Sequence, residues 1–138
     1  MLVKQYLIPL MLLPSLAMAE PLLKTSHSWD GGEISYPSGT AEVSSVVLKL
    51  EEGKAAPFHC HPIPTMGYVL QGSAKIETNT GETTVLSQGD SVVEVMRTVH
   101  RGIALDGPVE IVVFYAGAEG LPTTVLPADD PEGKYCTP

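Results

Sequence analysis

The sequence has 138 residues, with 8 basic and 16 acidic side chains and a formal net charge of −8. This length suits a single domain built around one hydrophobic core. No cluster of lysine and arginine interrupts the acidic balance, so the phosphate backbone of a nucleic acid would be repelled. The composition therefore excludes the usual nucleic-acid-binding classes, and we expect no such partner.

The first nineteen residues have the pattern of a secretory signal peptide. Lys4 supplies the positive start, residues 7–16 are mostly apolar, and Ala17-Met18-Ala19 is a small-residue cleavage site. The apolar run of about ten residues is half of what a membrane span needs. We therefore expect a mature chain that starts at Glu20 and is secreted, in a bacterium to the periplasm. No membrane contact is expected after cleavage.

The predicted export affects how the only two cysteines, Cys60 and Cys136, are interpreted. In an oxidising compartment an even pair of cysteines favours a disulfide. A bridge between them would close a loop of about 77 residues and contribute roughly 4 kcal/mol in the chain-entropy model. The alternative is two separate thiols, with Cys60 as a small buried hydrophobe. The sequence leaves both alternatives open.

Residues 20–40 form a polar arm with glycine and proline turns, and the chain then becomes a series of short strands. No helical periodicity lasts for more than one turn. The predicted strands are 41–50, 57–61, 65–71, 73–78, 83–86, 91–95, 99–105 and 109–115. Residues 117–138 are rich in proline and are expected to form an extended surface tail without evident chemistry. Regularly spaced short strands predict an all-β antiparallel barrel or sandwich.

Two histidines stand two residues apart, at positions 59 and 61. Residues i and i+2 of a strand point to the same face, so His59 and His61 would aim two imidazoles at one point, with Cys60 facing away. A third histidine, His100, lies in a later strand. Imidazole is a good ligand for zinc, iron, nickel and copper, so the three histidines are candidate ligands of a metal ion.

The two segments that carry these histidines resemble the paired motifs of the cupin superfamily. The chain keeps the following motif residues at the family spacing: Gly53, His59, His61, Gly72, Gly89 and His100. It departs from the motifs at Thr65, Val95, Arg97 and Ala104, where the family usually has Glu, Pro, Gly and Asn. The resemblance implies a double-stranded β-helix, or jelly-roll barrel, over residues 41–116. It also implies that His59, His61 and His100 hold a divalent transition metal inside that barrel.

The substitution at position 65 affects the charge of the implied site. Where the family usually has a glutamate ligand, Thr65 offers only a neutral hydroxyl. Three imidazoles leave the double charge of the ion uncompensated, so the site should favour an anionic ligand. We accordingly expect a Thr65→Glu variant to bind the metal more tightly. The sequence does not rank zinc, iron, nickel, manganese and copper as the ion.

Three further residues are candidates for the pocket. Glu94 stands in an apolar strand, where it could replace the missing carboxylate, but an outward-facing glutamate is the favoured interpretation because acidic side chains usually stay exposed. Gly67 would leave room for a ligand near the metal. Arg97 could receive a ligand carboxylate, or it could be a surface charge.

Three functional hypotheses follow from these motifs and their departures. The first is a metal-dependent enzyme that acts on a small molecule, either dioxygenase-like or isomerase/lyase-like. The second is a non-catalytic periplasmic cupin that binds or senses a ligand, and the third is a structural barrel without a metal. Because small cupins often pair through sheet edges, we also expect a homodimer.

Overall fold

A computed structural model describes residues 18–137 of the chain, so residues 1–17 of the predicted signal peptide lie outside the described residues. The described part contains seven strands and one short 3-10 turn at Pro127–Asp129. The strands are β1 (Ala41–Leu50), β2 (Thr65–Gln71), β3 (Ser73–Thr78), β4 (Thr83–Ser87), β5 (Ser91–Val93), β6 (His100–Ala104) and β7 (Val109–Ala118). No helix between residues 18 and 137 is long and apolar enough to cross a membrane.

The strands form two antiparallel sheets that face each other across the core. One sheet has the order β1-β7-β2-β5 and the other the order β4-β3-β6. Alternate residues of each sheet point inward, as the period of two requires. The buried residues between the sheets are Val69, Ala74, Ile76, Leu86, Val92, Ala104, Val109, Ile111 and Val113. The predicted all-β fold is confirmed.

The chain crosses from one sheet to the other at Gly72, between β2 and β3. This residue has a φ of +77°, a conformation that side chains other than glycine rarely adopt. A Cβ atom placed there would collide with the backbone carbonyl oxygen of Pro108. Both constraints select glycine, and they account for the glycine that ends the first motif.

Residues 57–61 differ from the predicted regular strand. His59 bridges to His100, Cys60 to Val125 and His61 to Met96, so three successive residues contact two separate segments, around residues 96–100 and at residue 125. The strand predicted over 91–95 ends at Val93 instead. Glu94 still donates to the carbonyl of Thr65 at 2.9 Å, and further along Arg97 takes up a φ of +66° before the chain reaches His100.

The C-terminal residues are a packed part of the fold, which corrects the prediction of an extended surface tail. The backbones of Val125 and Cys60 exchange two hydrogen bonds, of 2.9 and 3.0 Å. The structure joins Cys60 to Cys136 in a disulfide. Together with Val99, these residues form a second buried cluster, against which Phe58 and Tyr135 pack.

Candidate metal centre

The three histidines converge inside the barrel. The centroid of the His59 ring lies 4.8 Å from that of His61 and 4.7 Å from that of His100, and the last two are 5.1 Å apart. Two backbone hydrogen bonds hold the two segments together, since His59 and His100 each donate to the carbonyl of the other at 2.9 and 2.8 Å. The structure thus places the three residues as the sequence predicted.

Each imidazole is oriented by a backbone carbonyl at its Nδ1 atom. A carbonyl oxygen can only accept, so each Nδ1 carries the hydrogen, and in the neutral ring Nε2 keeps its lone pair. The acceptors are Pro57 for His59 at 2.8 Å, Thr123 for His61 at 2.7 Å and Thr98 for His100 at 2.8 Å. This arrangement is the one that metal-ligating histidines usually show, because it fixes both the tautomer and the ring orientation.

Glu94 brings a carboxylate to the histidines, so the favoured outward orientation was wrong. Its Oε2 atom lies 2.8 Å from Nε2 of His100 and 3.1 Å from Nε2 of His61, and its side chain is only 13% exposed. The outward orientation was expected because acidic side chains usually stay exposed. Glu94 instead points inward, like the core residue Val92 two positions earlier. A carboxylate can be buried here because it has partners of opposite polarity.

The contacts between these groups shift their pKa values in opposite directions. Burial alone would raise the pKa of Glu94, but hydrogen bonds with His100 and His61 outweigh it and hold that pKa well below its ordinary value. Burial works against protonation of His100 too, yet its hydrogen bond with Glu94 raises the His100 pKa. His59 has no such contact, and burial lowers its pKa to about 4.

The four side chains fit a divalent transition metal. His59, His61, Glu94 and His100 each offer one donor atom, and the four atoms lie within 4.8 Å of one another. With Nδ1 as the donor of each ring, the Nε2 lone pairs of His61 and His100 point at a carboxylate that also only accepts. Protonation of a ring at Nε2 removes this conflict by making the hydrogen bond to Glu94, and a metal cation between the donor atoms would remove it for the neutral rings. Ligand atoms bound about 2.1 Å from one ion lie about 3.0 Å apart at a right angle, close to the two distances to Glu94.

A cavity of about 210 Å³ opens next to the four side chains. Its walls are mainly apolar, with Leu48, Ile111 and Val113 among them, while Tyr115 and Thr124 add hydroxyl groups. The ring of Tyr115 meets that of His61 edge-on, with centroids 5.5 Å apart. Burial raises the pKa of Tyr115, although a hydrogen bond with Thr124 acts against the rise.

The other predicted pocket residues do not line this cavity. Thr65 is 1% exposed, and its hydroxyl donates to the carbonyl of Ile63 at 3.2 Å. At Gly67, an added Cβ would lie 3.2 Å from Val92 and 3.3 Å from Ile111, so this glycine permits tight core packing and makes no room for a ligand. The Arg97 guanidinium turns away and donates to the carbonyl of Lys134 at 3.0 Å.

Two members of the site were missed by sequence reasoning. Tyr115 ends an inward-facing series with Ile111 and Val113, and this alternation could have identified it. Thr123 contributes a backbone carbonyl from 62 residues away in the chain, for which no side-chain pattern gives a signal.

The fold and the site agree with the comparison to known families. The family model described as Cupin domain matches residues 46–115, more than half of the chain. The chain therefore belongs to the cupin superfamily, and its two sheets are the double-stranded β-helix, or jelly roll, of that superfamily. The comparison with curated proteins found no match.

Solved structures with this fold include several enzymes. The chain is similar to the DMSP lyase DddQ from Ruegeria pomeroyi DSS-3, with 24% identity and a TM-score of 0.55 over 72% of this chain and 48% of that one. It is also similar to KdgF from Halomonas sp., with 27% identity and a TM-score of 0.50 over 62% and 79% of the two chains. A Klebsiella pneumoniae protein with a double-stranded β-helix domain has 22% identity and a TM-score of 0.52 over 68% and 75%. The chain spans about half the length of the DMSP lyase.

Proposed function

We propose that this cupin is an exported metalloenzyme that acts on a small anionic molecule by lyase- or isomerase-like or dioxygenase-like chemistry. The observation that carries the proposal is the convergence of three Nε2 atoms and one carboxylate oxygen beside an apolar cavity. The ligands of the divalent metal would be His59, His61, Glu94 and His100.

The charge and size of the site support a small anion as the ligand. Three neutral imidazoles and one carboxylate leave a divalent ion with one net positive charge, and apolar walls strengthen its attraction for an anion. The cavity of about 210 Å³ has room for about seven water molecules at about 30 Å³ each, which suits a small metabolite.

The chemistry expected of the site combines the metal with one protein group. When bound, the metal would act as a Lewis acid that polarises an oxygen of the ligand. Tyr115 lies in the cavity wall, and like any tyrosine its hydroxyl is protonated at neutral pH, since burial only raises its pKa further. The hydroxyl can therefore donate a hydrogen bond or a proton to a ligand held beside His61.

The metal is tested by elemental analysis of the exported protein purified without a histidine tag. We expect about one equivalent of a transition metal, which His59→Ala or His100→Ala would remove while the far-ultraviolet circular dichroism stays that of a β protein. The matched control is His27→Ala, since His27 is exposed and outside the cluster. Full metal content in either ligand variant would refute the assignment.

Catalysis is tested against the alternative, a non-catalytic binding or sensing cupin. Metal-loaded and metal-free protein are screened by thermal shift against a panel of small carboxylates, because a ligand that binds the folded state raises its melting temperature. Compounds that shift only the loaded protein are then incubated with it, and products and oxygen uptake are measured. Turnover supports the enzyme, whereas binding without turnover supports the binding protein.

We also propose that the protein is exported to an oxidising compartment such as the periplasm. The support is the signal-peptide pattern together with the Cys60–Cys136 disulfide, since structural disulfides persist mainly outside the reducing cytosol. Intact mass of the periplasmic protein should match a chain that starts at Glu20. Alkylation without a reductant should modify neither cysteine, and a full-length cytosolic product with two free thiols would contradict the proposal.

A homodimer is proposed through the edge strand β1. This strand is ten residues long and lies at the edge of its sheet, with Val43 78% and Val47 50% exposed. A long, apolar, unpaired edge favours pairing with another strand. Light scattering should therefore give twice the chain mass, and Val43→Lys with Val47→Lys should give a monomer. Val85→Lys is the control, because this exposed valine lies in β4 of the other sheet.

A further inference from the structure

The C-terminal segment, residues 121–137, contacts the candidate metal centre from outside the barrel strands. We propose that this segment is a positioning element that fixes the ring of His61 for metal binding, and that the Cys60–Cys136 disulfide keeps it in place. The inference rests on the proposed function, because it assumes a metal ion at this centre. The contacts from which it is argued all lie between residues of this chain.

His61 differs from the other two histidines in where its orienting carbonyl comes from. His59 and His100 each donate from Nδ1 to the residue two positions earlier, so their own segments orient them. The corresponding carbonyl for His61 would be that of His59, which already accepts the backbone N–H of His100 at 2.8 Å. His61 instead donates to Thr123 at 2.7 Å, 62 residues further along the chain. Its orientation therefore depends on the C-terminal segment.

The same segment supplies part of the cavity wall. Thr124 and Leu126 line the cavity, and the hydroxyl of Thr124 lies 3.4 Å from Nδ1 of His61. Between these two residues, Val125 points away from the cavity into the second buried cluster. Residues 124–126 thus alternate between the cavity and the second buried cluster, as residues of a barrel strand do. They nevertheless lie outside the region that the family model matches.

Two attachments hold the segment against the ligand residues. The first is at Cys60, which stands between His59 and His61, pairs with Val125 through two backbone hydrogen bonds and is bonded to Cys136. The second is at Arg97, whose carbonyl accepts from Thr137 at 2.7 Å while its own N–H donates to the carbonyl of His61 at 2.7 Å. Both attachments end on residues that are directly linked to His61.

The end of the segment is folded around one carboxylate. Asp130 accepts from the backbone N–H groups of Lys134, Tyr135 and Cys136, each at 2.8 Å. These bonds place Cys136 opposite Cys60, and they hold the pKa of Asp130 below its ordinary value. Without the disulfide, only noncovalent contacts would fix residues 121–137, and the acceptor of His61 would no longer be held rigidly.

The experiment compares wild-type protein with the double variant Cys60→Ala with Cys136→Ala, which removes the bridge without leaving a free thiol. Loss of an outer partner of a metal ligand typically weakens metal binding about 10–100-fold, so we expect the dissociation constant for Zn²⁺ to rise by at least about tenfold. The dissociation constant is measured by competition for Zn²⁺ with a chromophoric chelator. Cys136→Ser serves as a second variant, because it cuts the same bond without changing the ligand strand.

A second readout uses the metal-free protein. Long-range ¹H–¹⁵N spectra at pH 8 report which ring nitrogen of each histidine carries the hydrogen. We expect His61 to change from one tautomer to a mixture in the disulfide variants, while His59 and His100 keep theirs. The control is Leu86→Ala, which weakens the core from β4 and contacts neither cysteine, and it should change neither readout.

The outcomes separate this inference from the proposed function. Unchanged Zn²⁺ affinity or an unchanged His61 spectrum in the disulfide variants would overturn it, as would equal effects in Leu86→Ala. If the wild-type protein binds no metal, the proposed function fails, and the His61 spectrum of the metal-free protein alone then decides whether the segment positions this ring.

Discussion

The Oε2 atom of Glu94 lies 2.8 Å from Nε2 of His100, although Glu94 follows β5 and His100 begins β6. The same oxygen is 3.1 Å from Nε2 of His61. Cupins usually take their carboxylate from the position that Thr65 occupies here. In this chain the carboxylate comes from the second motif segment, so the donor set keeps a negative charge although Thr65 cannot supply one.

Replacing Glu94 by glutamine should weaken metal binding. The substitution keeps the shape of the side chain and removes the charge that faces His61 and His100. We expect the dissociation constant for Zn²⁺ to rise by about tenfold or more, measured by chelator competition. The matched control is Glu52→Gln, since Glu52 is exposed in a turn. Equal affinities of Glu94→Gln and wild type would show that the carboxylate is not a ligand.

A Thr65→Glu variant should lose stability, and it should not gain metal affinity as the sequence suggested. Thr65 is fully buried and bonded to Ile63, and Glu94 already supplies the carboxylate of the site. Burying a neutral polar group without a partner costs about 1–3 kcal/mol, and an unpaired carboxylate costs more, so the loss should exceed that range. Urea unfolding measures the loss, with Thr65→Val as the control that keeps the shape of threonine. Tighter Zn²⁺ binding by Thr65→Glu would instead place this side chain against the ion.

Strand positions could be predicted where local signals mark both ends. The limits of β2 and β3 agree with the prediction, because Gly72 separates the two strands and a turn follows Thr78. Residues 57–61 could not be predicted in the same way. Their pairing with two distant segments is a property of the folded chain, and no local pattern encodes it.

The site was predictable to the extent that it depends on spacing. His59 and His61 follow from the period of a strand, and His100 follows from the motif. The period of two puts Glu94 on the same face as Val92, but the sequence alone did not show that this face is the buried one. The carbonyl of Thr123 is set by the packing of the C-terminal segment, which the sequence indicated only through the pair of cysteines.

The metal-free protein should lose stability as the pH falls from 6.5 to 4. Burial, and after it the neighbouring histidines, lower the pKa of His59 from 6.5 to about 4, so in this range the unfolded ring binds a proton that the folded ring does not. The stability present above pH 6.5 is then lost progressively, by about 3 kcal/mol in all. Urea unfolding in the presence of a chelator, at several pH values, measures this slope.

The shifted pKa values of Glu94 and His100 contribute little to this slope, because Glu94 acts only at the lower end of the pH range and His100 acts above it. The lowered pKa of Glu94 contributes stability that is lost only as the pH falls below the ordinary value of 4.5. The raised pKa of His100 contributes stability that is fully present below 6.5 and is lost as the pH rises through the folded value. His59→Gln should therefore flatten the slope between pH 6.5 and 4. A slope equal to that of wild type would assign the loss to another group.

The crossing between the two sheets should tolerate only glycine. Gly72 and Gly81 both have positive φ values, of +77° and +96°, so alanine strains the backbone at either position. A Cβ at Gly72 would also collide with the carbonyl of Pro108, whereas nothing lies within 4 Å at Gly81. We expect Gly72→Ala to lower the free energy of unfolding by about 1–3 kcal/mol more than Gly81→Ala does. Equal losses in urea unfolding would mean that Gly72 can move away from Pro108 without cost, and that this packing does not restrict the crossing.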